Sequence, residues 1–359
     1  MSENNIVRVG ITHGDINGIG YEVILKALED TRMLELCTPV IFGSQKLLAQ
    51  YRKALGIQQF NVNVVDSAAD AVDGAVNLVN VVGEEVVADP GNPTDESGRA
   101  SFASLEAAVR AVRDGEVDVL VTAPISKNNI QSAGFHFPGH TEYLESVADG
   151  KALMILFNEN IRVALVTTHL PVNRISEAIT VDSIVEKLSI FNRSLRSDFS
   201  IVQPRIAVLA LNPHAGDNGL LGSEEQQVII PAIQKAQDRK ILCFGPYPAD
   251  GFFGAGLYKN FDGVLAMYHD QGLAPFKTIA MDSGVNFTAG LDIVRTSPDH
   301  GTGFDIAGQG VASEQSMREA IYAAVDIFRN RSVYDEMTSN PLRRQYFDKS
   351  KDNVVLDLK

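Results

Sequence analysis

"IAVLALNPHAG", residues 206–216, decides the fold. Six apolar residues in a row, Ile206 to Leu211, leave no polar face. Such a strand is buried on both sides, as in a parallel or mixed sheet covered by helices, whereas a half-exposed strand alternates. It ends abruptly on Asn212, Pro213 and His214.

The same design recurs outward from this stretch. "IVRVGIT" (6–12), "TPVIFG" (38–43), "VDVLVTA" (117–123), "RVALVTT" (162–168) and "GVLAMY" (263–268) read as further strands. Between them, 101–112 and 182–195 carry apolar residues at helical spacing, and "YEVILKALED" opens a helix after a glycine-rich turn. Strands alternating with helices give an α/β fold. "ADPGNPTDESG" (88–98) reads as a loop, and the polar tail from Arg331 as a surface helix with a frayed end.

At 359 residues and 45% hydrophobic content, the chain can bury a large core in two domains or one large α/β domain. A net charge of -14 argues against a general nucleic-acid binder. Two cysteines, Cys37 and Cys243, exclude a disulfide framework or a Cys-type zinc site. The N-terminal residues lack signal-peptide character and no apolar run reaches membrane-spanning length, so the expectation is a cytoplasmic protein without membrane partners.

Chemistry concentrates where strands end. His169, His214 and His269 each follow an apolar strand by a short polar step, separated by 45 and 55 residues. One such ring is ordinarily a hydrogen-bonded structural residue. Three in equivalent places suit a divalent metal with an open coordination position. Asp270 and Asp250 are candidates for orienting a ring or transferring a proton, or else surface caps. "THGDINGIGYEV" (12–23) pairs close backbone approach at Gly14 and Asp15 with a free helix N-terminus, which suits an anion; an ordinary tight turn is the alternative. In "FPGHTEYLESV" (137–147) Thr141 reads as an N-cap, placing His140 and Thr141 where an anion is welcome. Lys277 and Arg295 can clamp a phosphate or carboxylate, and Asn286 offers both a donor and an acceptor. "DHGTGFDIAGQG" (299–310) reads as a loop wrapped around a ligand.

Taken in order, "GHTEYL", "TTHLP", "LNPHAG", "AMYHDQG" and "RTSPDHGT" resemble the 4-hydroxythreonine-4-phosphate dehydrogenase family of pyridoxal phosphate biosynthesis, over about residues 6–328. The resemblance implies the isocitrate/isopropylmalate dehydrogenase-like fold, two α/β domains with a cleft between them. Residues 1–130 with 295–359 would form an outer, nucleotide-side domain, and 131–294 a central domain with the metal ligands and dimer interface. It makes His169, His214 and His269 ligands of a divalent metal, zinc first, with magnesium, cobalt or manganese as alternatives. These ligands would be drawn from both subunits of a homodimer. His140, Thr141, Lys277, Asn286 and Arg295 would bind substrate, with Lys277 also a candidate proton relay beside Asp250 and Asp270. His300, Gly301 and Thr302, with Gly14 and Asp15, would lie toward NAD or NADP. The chain departs from the family at Ile16, Asn17 and Tyr21, where proline, alanine and proline are usual, and at His13, where proline or methionine is common.

The implied reaction is oxidation of 4-phosphohydroxy-L-threonine at its 3-hydroxyl, then loss of CO2 to give 3-amino-2-oxopropyl phosphate. Dehydrogenation of 4-phosphoerythronate or 4-phosphothreonate is the alternative within the resemblance. A metal-dependent phosphoester hydrolase is the rival reading, but the glycine-rich 299–310 loop has no use there. A silent metabolite-binding protein is the third.

Overall fold

The computed structural model describes residues 6–131, 134–280 and 283–340. One sheet of twelve strands crosses these residues: β1 Val7–Thr12, β2 Cys37–Gly43, β3 Val62–Val65, β4 Val76–Asn80, β5 Val119–Thr122, β6 Gly150–Phe157, β7 Arg162–Leu165, β8 Arg205–Leu209, β9 Leu242–Tyr247, β10 Gly263–Ala266, β11 Val285–Leu291 and β12 Arg295–Pro298. Their order in space is β3-β4-β2-β1-β5-β12-β11-β6-β7-β10-β8-β9.

All six strands read from apolar runs are present, and all are internal to the sheet. The block β3-β4-β2-β1-β5-β12 is parallel throughout, as is the block β7-β10-β8-β9. They meet through β11 and β6, whose ladders to each other, to β12 and to β7 are antiparallel. The two parallel blocks therefore run in opposite directions. The chemistry-bearing loops therefore do not all leave one common edge. The turns after β1 and β5 leave one way, and those after β7, β8 and β10 the other.

Local chemistry sets the helix boundaries, and two of them differ from expectation. The helix Asp95–Arg113 begins inside the stretch read as loop, because Thr94 and Ser97 form a reciprocal capping box. A serine at the third helical position hides this signal, which is usually a glutamate or glutamine. The helix His140–Val147 has Gly139, not Thr141, at its N-cap, so Thr141 lies in its first turn. The long helix Gln315–Ser339 includes the start of the polar tail, while 341–359 and the N-terminal 1–5 lie outside the described residues. Among the described residues no helix is long and apolar enough to cross a membrane. Cys37 and Cys243 are buried free thiols on β2 and β9.

The glycine-rich turn after β1 is wholly buried. His13 is 0% exposed and stacks on Tyr21 at 5.1 Å, which stacks on Tyr51 at 5.4 Å. These rings fill the space at two positions where the chain departs from the family it resembles. Asn17 explains a third: its side chain accepts from Asp89 N at 2.8 Å and donates to Asn92 O at 2.7 Å, pinning the 89–94 loop.

Burial pushes the His13 imidazole down to about 4, although its hydrogen bond with the Gly14 carbonyl opposes the shift. The folded pKa lies below the ordinary 6.5, so protonation favours unfolding. Its stabilising effect is intact above pH 6.5 and is lost as pH falls toward 4. The expected loss is about 2 kcal/mol by pH 5. Urea unfolding at pH 7 and pH 5 should show His13→Met losing less stability on acidification than the parent; equal losses would remove His13 as the cause.

Candidate active site

A cleft of about 320 Å³ opens over the antiparallel centre of the sheet. Its lining draws on the turn after β5, on β6, β11 and β12, and on the helices His140–Val147 and His269–Ala280. It gathers His140, Thr141, His169, His269, Lys277, Asn286, Arg295, His300 and Gly301 from the sequence-derived set. Residues from both parallel blocks thus meet where the strand direction reverses.

Arg295 is the electrostatic anchor. It opens β12, is 3% exposed, and forms no ion pair among the described residues. Its guanidinium donates to the Thr122 hydroxyl at 2.6 and 3.0 Å and to the Thr288 hydroxyl at 3.2 Å. Burial brings its pKa down to about 9, so it remains a cation at neutral pH. Glu142 supports the charge without contacting it. A buried cation whose direct contacts are hydroxyls is under-compensated, and an anion in the cleft would complete it.

Four polar atoms of the cleft residues are shielded from solvent without a hydrogen-bond partner: His140 Nε2, Glu142 Oε2, Asn286 Oδ1 and His300 Nε2. Such atoms normally find partners. Burial, with Arg295 and Lys127 nearby, holds His140 well below the ordinary histidine range, so its ring is neutral. Burial also lowers His300. Lys277 Nζ lies 3.5 Å from Asp299 Oδ1, and burial raises the Asp299 carboxyl against the pull of that lysine.

His169 and His269 stand with ring centroids 6.0 Å apart. Glu142 Oε1 lies 3.4 Å from His169 Nδ1, and Asp270 Oδ1 lies 2.7 Å from His269 Nδ1. A carboxylate on each Nδ1 favours the Nδ1–H tautomer and turns the Nε2 lone pair outward, the arrangement of a metal-binding histidine. Lys127 Nζ lies 3.3 Å from His169 Nε2. A divalent ion at His169 would displace that lysine; with it moved aside, the donor chemistry of the pair fits such an ion. Lys127 and Glu142 were not singled out from sequence. Glu142 sits inside a quoted motif and Lys127 just past a quoted strand, but neither has a local pattern that marks it.

His214 does not line the cleft, and among the described residues no three His, Cys, Asp or Glu side chains of one chain converge as a metal site. His214 is exposed. It opens a run, His214 to Asn218, in which every φ is positive, from 42° to 78°. Four of the five residues are not glycine, and the left-handed conformation costs each about 1–2 kcal/mol.

The remaining expected residues stand apart from the cleft. Asp250 is exposed in the helix Ala249–Gly254 and lines none of it. Asp270 touches it only through His269. Gly14 and Asp15, expected toward the cofactor, lie in the interior beneath the cleft. Both are buried, and the Asp15 carboxylate accepts from Asn17 N, Ser97 Oγ and Asn129 Nδ2 at 3.0–3.2 Å. A side chain at Gly14 would meet Pro124 O at 2.2 Å. Thr302 likewise faces inward through its backbone, accepting from Ile19 N at 2.9 Å. The turn after β1 thus braces the 299–310 loop from beneath.

Inorganic phosphate should raise the melting temperature of the protein by occupying the Arg295 site, and Arg295→Met should abolish the shift. A phosphate-dependent shift retained in that variant would place the anion elsewhere.

The model of the family "Pyridoxal phosphate biosynthetic protein PdxA" matches residues 35–324. The 4-hydroxythreonine-4-phosphate dehydrogenase of Bacteroides thetaiotaomicron is 56% identical, with 99% of this chain and 98% of that protein covered. A provisionally named D-threonate 4-phosphate dehydrogenase from Oceanobacillus iheyensis is 36% identical, covering 91% of this chain and 99% of that one. In solved structures, 4-hydroxythreonine-4-phosphate dehydrogenase from Klebsiella pneumoniae superposes with a TM-score of 0.77 at 32% identity, covering 90% of this chain and 99% of that one. Isocitrate dehydrogenase from Methylococcus capsulatus shares the fold, with a TM-score of 0.50 at 12% identity over 92% of this chain and 88% of that one.

Proposed function

The chain belongs to the family of the pyridoxal phosphate biosynthetic protein PdxA, and on that premise we propose that it oxidises 4-phosphohydroxy-L-threonine with NAD or NADP at a divalent-metal site, zinc first. The chain is an oxidoreductase of vitamin B6 biosynthesis. The observation that carries the substrate reading is the buried, unpaired Arg295 in one cleft with unpartnered His140, Glu142 and Asn286 atoms. That set suits a small molecule with anions and proton donors on neighbouring carbons.

Arg295, His140 and Thr141 would hold the phosphate or carboxylate, with the neutral His140 donating a hydrogen bond. Glu142 Oε2 and Asn286 Oδ1 are acceptors waiting for donors. An ammonium offers them three protons where a hydroxyl offers one, which favours the amino acid over the sugar acids erythronate and threonate. Lys277 would hand a proton to, or take one from, the reacting carbon or oxygen. Asp299, close to its Nζ, keeps that amino group in place.

His169 and His269 would bind the metal through Nε2, with the third imidazole, His214, supplied by a second copy in a homodimer. When bound, the metal would stabilise negative charge on the reacting oxygen and the nicotinamide would accept hydride. The His300–Thr302 loop would border the nucleotide, braced from beneath by Ile19. The reading places the protein in the cytoplasm.

The purified protein should produce NADH or NADPH with 4-phosphohydroxy-L-threonine, at a kcat/KM at least tenfold above that with 4-phosphoerythronate or 4-phosphothreonate. A preference for either sugar acid overturns the substrate, and free phosphate without reduced nucleotide overturns the reaction class in favour of a phosphoester hydrolase. His169→Ala should lose both bound zinc and turnover.

A further inference from the structure

The left-handed run at His214–Asn218 needs something to impose it, since such a conformation persists only where its surroundings over-determine it. The structure offers one buried charge at that point. Glu225 is 2% exposed, and its Oε1 accepts from Leu211 N at 2.8 Å and Asn212 N at 2.7 Å. Its Oε2 accepts from Asn212 Nδ2 at 3.0 Å. A Cβ at Gly216 would lie 2.6 Å from that same Oε2, so the run closes around the carboxylate.

Among the described residues no cation pairs with Glu225, so these amide donors are its compensation. The side chain comes from the first residue of a single π-helical turn, Glu225–Ile229, a rare element that recurs at functional sites. The neighbouring Glu224 secures the other side, accepting from Asn212 Nδ2 at 2.8 Å and from Ser176 Oγ at 2.8 Å. Ser176 belongs to the segment that follows His169.

We infer that Glu225 is a positioning residue for the metal site: it fixes Leu211 and Asn212 and so sets the left-handed turn that presents His214. This rests on the reading of His214 as a ligand completed across two copies. A purely structural carboxylate would lower stability without acting through His214.

The test is zinc affinity of the full-length protein, measured by competition with a chromophoric chelator, in parent, Glu225→Gln, His214→Ala and the double variant. Glutamine keeps the shape but turns a donor toward donors. Glu225→Gln should weaken zinc binding 10- to 100-fold, as loss of a residue that orients a ligand does, and should have no effect in the His214→Ala background. Asn212→Ala, which removes one of the three contacts, should give a smaller loss in the same direction and serves if Glu225→Gln does not fold. If His214→Ala leaves zinc affinity unchanged, the ligand reading itself fails. If His214→Ala weakens zinc but Glu225→Gln does not, or acts equally in both backgrounds, the positioning role is overturned; where Glu225→Gln does not fold, Asn212→Ala decides by the same two outcomes.

Discussion

A buried guanidinium with no ion-pair partner among the described residues governs this molecule. Arg295 sits at the first residue of β12, where the first parallel block meets the antiparallel centre. Placing a charge there is costly unless it is paired, and among the described residues it is met by the hydroxyls of Thr122 and Thr288, with the Glu142 carboxylate acting without direct contact. Those hydroxyls come from β5 and β11, the strands on either side of β12. The arginine is thereby aimed by the sheet itself. An incoming anion meets a rigid, desolvated donor, and little conformational entropy remains to be lost on binding.

The histidines follow a different logic. His169 and His269 are exposed enough to exchange a ligand, yet each ring is oriented by a carboxylate. The Arg295 region recognises charge and the histidine region suits a metal, and the two share one cleft. A hydroxy acid phosphate bound between them would present an anion at one end and a reacting oxygen at the other.

The fold was largely legible, for a physical reason. Strands inside a parallel block are apolar on both faces, so β1, β2, β5, β7, β8 and β10 announce themselves. β12 reads "RTSP" and β11 "VNFTAGL", and both are strands because of their neighbours, since pairing outweighs local preference. The reversal of direction between blocks is a tertiary fact with no local signature. Short motifs picked out residues that do line the cleft, as with His140, Asn286 and Arg295. Asp250 lines none of it, because an aspartate after a strand looks the same whether or not it faces the cleft. Glu225 escaped notice because it acts eleven residues beyond His214, through a turn whose shape no residue spacing encodes.

The unbroken sheet also has a mechanical consequence. Between the two parallel blocks lies a six-pair ladder joining β6 and β11, with no flexible linker at that seam. Prising the blocks apart would rupture backbone bonds worth about 1 kcal/mol each. Twisting them is far cheaper, because paired strands tolerate a wide range of twist. The residues that line the cleft above that ladder are therefore held on a seam that resists separation more than it resists torsion.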